Sequence, residues 1–128
     1  MGTRVRKSVF LRIGMFFCSI VLLFSMGACT SAEKKHYEEC LVLLKTNLYD
    51  PTSLLVAEAT SVSDPESDDI AYKITYNAKN LYGAYVGNKT EYFLYDSENG
   101  AVERDSFGLV SLQYKTWTLS GGKTKSYV

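Results

Sequence analysis

What most limits the fold open to this chain is a charge-free run, IGMFFCSIVLLFSMGA, over residues 13–28. It follows MGTRVRKSVFLR, which holds Arg4, Arg6, Lys7 and Arg12 and no acid. A basic segment followed by an apolar one has the make-up of a secretory signal and does not belong to the folded domain. The run is shorter than the ~20 apolar residues that cross a bilayer as a helix. Arg4 and Arg6 are not adjacent, which fits a twin-arginine signal poorly. Residues 29–128 remain, enough for one small domain with a core of its own.

The run ends Met26-Gly27-Ala28-Cys29. This resembles the lipobox of bacterial lipoproteins, in which an apolar residue and two small ones precede a thiol. Met26 stands where leucine is more usual. The resemblance implies that residues 1–28 are a lipoprotein signal peptide, that Cys29 carries the lipid (palmitate among its acyl chains), and that residues 29–32 are a short lipidated tether. Two or more acyl chains hold a protein stably on a bilayer where one does not, at ~0.8 kcal/mol per buried methylene. The expected location is the cell membrane, lipid-anchored on its extracytoplasmic face.

Charge narrows the partners. Four of the fourteen basic residues and none of the fourteen acidic ones lie in the signal, so the mature part has a net charge of −4. Nucleic acid is not expected as a partner. Attraction to the membrane must come from the lipid. Cys18 leaves with the signal and Cys29 is acylated, so Cys40 has no disulfide partner within the mature chain. It sits in HYEECLVLLK among acids and leucines, which suits a core thiol rather than a nucleophile or redox group.

The mature chain reads as a single α+β domain over residues 33–128. Tyr37, Cys40, Leu41, Leu44 and Leu48 fall on one helical face, with Ser31 as N-cap and Asp50-Pro51 as the stop. Strands are predicted over residues 54–62, 70–78, 89–96 and 110–120, with the short AVERD segment returning as a hairpin partner after Asn99-Gly100. In residues 70–78, Ile70, Tyr72, Ile74 and Tyr76 alternate with polar residues. GGKTKSYV is expected to fray. The expected architecture is one N-terminal helix packed on a four- to five-stranded antiparallel sheet.

LKTNLYDPTSL and YNAKNLYGAYVG, about thirty residues apart, resemble the "L.DP.S" and "NAKN.yGgY.G" patterns of a group of small, uncharacterised secreted bacterial proteins and lipoproteins. Tyr49 stands where that group often has a basic residue, and Ala84 where it often has a second glycine. The resemblance implies a helix on an antiparallel sheet. It brings no reaction and no catalytic residues.

Two readings of the loop stand side by side. One is a tight, self-bonded turn between strands. The other makes Lys79, Asn80, Tyr82 and Tyr85 an exposed recognition patch, since tyrosine offers large contact area at low entropic cost. Asp64, Glu66, Asp68 and Asp69 follow a calcium-like spacing, but Asp69 and Thr75 stand where an EF-hand needs Gly and Glu. They read as a solvated acidic loop. His36 is the only histidine, which disfavours zinc. No cofactor or metal is expected. The favoured function is a non-catalytic module that binds an envelope protein, a peptide or a cell-wall component. The alternative is a small cell-envelope hydrolase using carboxylates or His36.

Overall fold

A computed structural model describes residues 32–128. The signal segment, Cys29 and Ser31 lie outside the described residues. Helix α1 covers residues 32–46. The Pro51–Ser53 segment makes one 3-10 turn. Strands β1 (Leu55–Ser63), β2 (Ile70–Asn77), β3 (Lys89–Asp96) and β4 (Ala101–Arg104) follow. Helix α2 (Leu109–Leu119) and strand β5 (Thr124–Ser126) complete the chain. The fold is α+β, and its five strands form one antiparallel sheet in the order β4-β3-β2-β1-β5.

Alternation in β2 sorts the core into two clusters. Tyr72, Ile74 and Tyr76 are buried with Cys40, Leu44, Ala59 and Phe93. Ala71 belongs to the other cluster, with Val62 and Val110 and the partly buried Tyr92, Tyr114 and Trp117. Arg104 ties β4 to α1, donating from its guanidinium to the Leu43 carbonyl near the helix end, 3.6 Å from the Glu91 carboxylate.

Two expectations need correction. Among the described residues there are two helices rather than the expected one, because residues 110–120 are not a strand. Val110, Tyr114 and Trp117 stand at i, i+4 and i+7 and share one buried cluster. Asp105 holds the start of α2, accepting the Ser111 N–H (3.3 Å) and the Phe107 N–H (3.3 Å). A Schellman closure ends it: Gly122 N–H donates to Trp117 O (2.8 Å) and Gly121 N–H to Thr118 O (3.4 Å), with Gly121 at φ +86°. The tail, expected to fray, contains β5. Its residues pair with Thr60, Ser61 and Val62 of β1, and the Tyr127 hydroxyl shares a hydrogen bond with Ser61 Oγ (3.0 Å).

Candidate functional site

β2 ends at Asn77, and the chain must reverse before β3 begins at Lys89. Asn80 governs the reversal. Its side-chain oxygen accepts the Tyr82 N–H (2.9 Å) and the Ala84 N–H (3.1 Å). Its own N–H donates to Ala84 O (2.9 Å), and its carbonyl accepts the Gly83 N–H (3.0 Å). Gly83 takes φ +73°, a conformation costly for any residue with a Cβ. Lys79 and Tyr85 form an isolated β-bridge across the base.

The loop is anchored from below by Ser53, which is buried. The Ser53 hydroxyl donates to Asp50 O (2.7 Å) and accepts the Lys79 N–H (2.8 Å). The Ser53 carbonyl accepts the Tyr85 hydroxyl (3.2 Å). The DPTS turn and the NAKN loop, separate in sequence, thus form one bonded unit. The turn is self-bonded and leaves part of its surface to solvent. Asn80 and the Tyr85 hydroxyl brace the turn, while Tyr82, 88 % exposed, faces solvent. Lys79 Nζ lies 5.6 Å from the Tyr85 ring centroid, in cation–π range.

Beside the loop runs an open cavity of about 260 Å³. Its polar lining comes from Asn47, Tyr49, Lys79, Asn80 and Lys89, and Tyr76 lies at its wall. None of the residues lining it is acidic. Burial, and then the charge of Glu91, pushes the Tyr76 hydroxyl pKa above the ordinary tyrosine range. Sequence reasoning missed Asn47 and Tyr49 as part of this site. The signal was present in the DP.S segment, which brings the end of α1 and the loop together. A second cavity, of about 300 Å³ beside α2, mixes Glu103 and Asp105 with Arg104 and Gln113.

The other chemistry-bearing residues are engaged in contacts of their own. The His36 ring stacks on Tyr95 at 3.7 Å, with Nδ1 3.6 Å from the Glu39 carboxylate. Cys40 is fully buried, and burial, followed by the charge of Glu39, pushes its thiol pKa far up. In the acidic loop, Asp64 accepts the Glu66 N–H (3.0 Å) and the Ser67 hydroxyl (2.7 Å). Asp69 accepts both the N–H (2.8 Å) and the hydroxyl (2.7 Å) of Ser97. Among the described residues no three of His, Cys, Asp and Glu converge as metal ligands would. No described helix is long and apolar enough to cross a membrane. The chain matches no family model, no curated protein and no solved structure.

Proposed function

We propose that the mature chain is a bacterial lipoprotein, anchored through Cys29 at the extracytoplasmic face of the cell membrane, and that it acts as a non-catalytic binding module. In this reading the N-terminal helix links the anchor to the domain and covers one face of the sheet with Cys40 and Leu44. The braced loop at the far end of β2 is the working surface. The observation that carries the proposal is the pairing of a rigid, internally bonded turn with an exposed Tyr82 and a groove of lysine, asparagine and tyrosine side chains. A preformed surface of this kind loses little conformational entropy on binding. The hydrolase alternative draws less support, since the His36 ring is engaged in stacking on Tyr95 and the carboxylates of Asp64 and Asp69 brace their own loops.

Crosslinking and capture from intact cells test the proposal. The wild-type chain is expected to retain a specific envelope component. Tyr82→Ala and Lys79→Ala are expected to weaken its capture severalfold while leaving the melting temperature nearly unchanged, as for surface substitutions within ±0.5 kcal/mol. Capture unaffected by both changes, or a Tyr82→Ala variant that melts early, overturns the assignment of this surface.

A further inference from the structure

Helix α2 is apolar on two sides. Val110, Tyr114 and Trp117 pack with Val62 and Ala71 of the sheet. Leu109, Leu112, Thr116 and Leu119 lie about 150° away around the helix, at 3.6 residues per turn. All four are exposed, Leu109 and Leu112 by 62 % and Leu119 by 88 %. Phe107, just ahead of the helix, is 88 % exposed. Apolar side chains grouped over on the order of several hundred Å² mark a surface that another molecule covers.

Spacing says what kind of molecule that is. The four positions are i, i+3, i+7 and i+10, the narrow a/d seam of a helix that packs on another helix. The order also reads the same backwards, because Leu109 with Leu119 and Leu112 with Thr116 are both centred on Tyr114. A second α2 turned end for end meets all four in a single register, Leu109 against Leu119 and Leu112 against Thr116 in both directions. This is the self-complementarity of a twofold interface. Thr116 fits such a seam, since its hydroxyl already donates to the Leu112 carbonyl (2.9 Å) and its methyl group is left for packing. Phe107 then reaches past the second copy's Leu119 to its Gly121, around which there is open space.

We propose that α2 docks antiparallel on α2 of a second copy of this chain, giving a twofold dimer with the two helices between the two sheets. Neither the lipid anchor nor the groove takes part. The seams of both copies and their Phe107 rings together approach the roughly 1,000 Å² that a specific interface needs. The seam holds no charge, and no acidic residue follows Asp105 in the sequence, so burial of apolar surface drives the pairing. Antiparallel packing also sets the two helix dipoles head to tail. Lys115, exposed beside the seam, stands on the same side of it in both copies.

Sedimentation of the full chain in density-matched detergent tests the pair. The wild-type protein is expected as a dimer at micromolar concentration, and a monomer overturns the proposal. Leu109→Glu and Leu119→Lys are each expected to weaken the dimer about tenfold or more. Val42→Glu, at an exposed apolar position on α1, is expected to leave it unchanged, and equal weakening there overturns the assignment to α2. An equal mixture of Leu109→Glu and Leu119→Lys chains is expected to regain the dimer, because the two introduced charges face each other only in the antiparallel register. A mixture that stays monomeric overturns that register. Thr116→Leu is expected to tighten the dimer about tenfold by completing the seam, a gain that misfolding cannot produce, and its absence counts against the seam. Added salt is expected to tighten the dimer by screening the two Lys115 charges. Weakening by salt, as for a charged partner or an anionic lipid surface, overturns self-docking.

Discussion

Cys40 shows how a reactive residue type becomes inert. Its side chain has no exposed surface and packs with Leu44, Tyr72 and Phe93. Burial disfavours the thiolate, and the neighbouring Glu39 charge disfavours it further. Native labelling by a thiol reagent is therefore expected to be slow and to accelerate only on unfolding. The sign of the pH effect follows from the same shift. An unfolded thiol ionises near ~8.5, whereas the folded one stays protonated well above that. Above this pH the folded state binds the extra proton, so the Cys40 contribution to stability is present at neutral pH and lost as pH rises. Cys40→Ala is expected to cost about 1 kcal/mol by lost packing and to remove this alkaline component. Denaturant titrations of both proteins at pH 7 and pH 10 check it. The buried thiol was legible in the sequence because its neighbours Tyr37, Leu41 and Leu44 mark one helical face. The roles of Ser53 and Asn80 were not, since a hydroxyl or an amide declares no partner until the chain brings one near.

Between elements, α2 is the instructive case. VSLQYKTWTLS places Val110, Leu112 and Tyr114 at every second position and adds β-branched Thr116 and Thr118, a pattern that suits a strand. Leu112 is nonetheless exposed, and Val110, Tyr114 and Trp117 form the contact face. The decision comes from the ends, with Asp105 accepting backbone N–H groups at the start and the two glycines closing the last turn. Tyr114 then meets Thr60 of β1, their hydroxyls 2.7 Å apart. Gly122 is tightly enclosed: a Cβ there would sit 2.9 Å from Trp117 O and from Val62 Cγ2, and closer still to Ser63 O. Gly83 differs, having open space but a positive φ. Gly122→Ala is thus expected to destabilise by steric crowding, about 1–3 kcal/mol. Gly83→Val is expected to cost ~1–2 kcal/mol through backbone strain alone. Thermal melts compare them, and only Gly122→Ala should also loosen β5, read as faster amide exchange at Lys125 and Tyr127.

For the whole molecule, the proposed lipid anchor at Cys29 is open to a direct test. Cys29→Ser is expected to abolish incorporation of a fatty-acid analogue and to leave the signal uncleaved, because in the proposed lipoprotein the thiol sulfur is the acylated atom. Undiminished label on the variant would refute acylation at Cys29. Local sequence by itself determined the strands over residues 55–63 and 70–77, the turn at Asn99-Gly100 and the burial of the Cys40 thiol. Those features depend on side-chain period, on backbone preference and on near neighbours, all written within a few residues. The loop's tendency to turn was likewise legible in its asparagines and glycines. Only the tertiary structure decided that residues 109–119 are a helix, that the tail adds a fifth strand, and that the DPTS turn braces the NAKN loop. Each of these depends on partners distant in sequence: Val62 and Ala71 for α2, β1 for β5, Ser53 for Lys79 and Tyr85. The groove belongs to the same class, because Tyr49 and Lys89 are forty positions apart and share a surface only once β2 and β3 have paired.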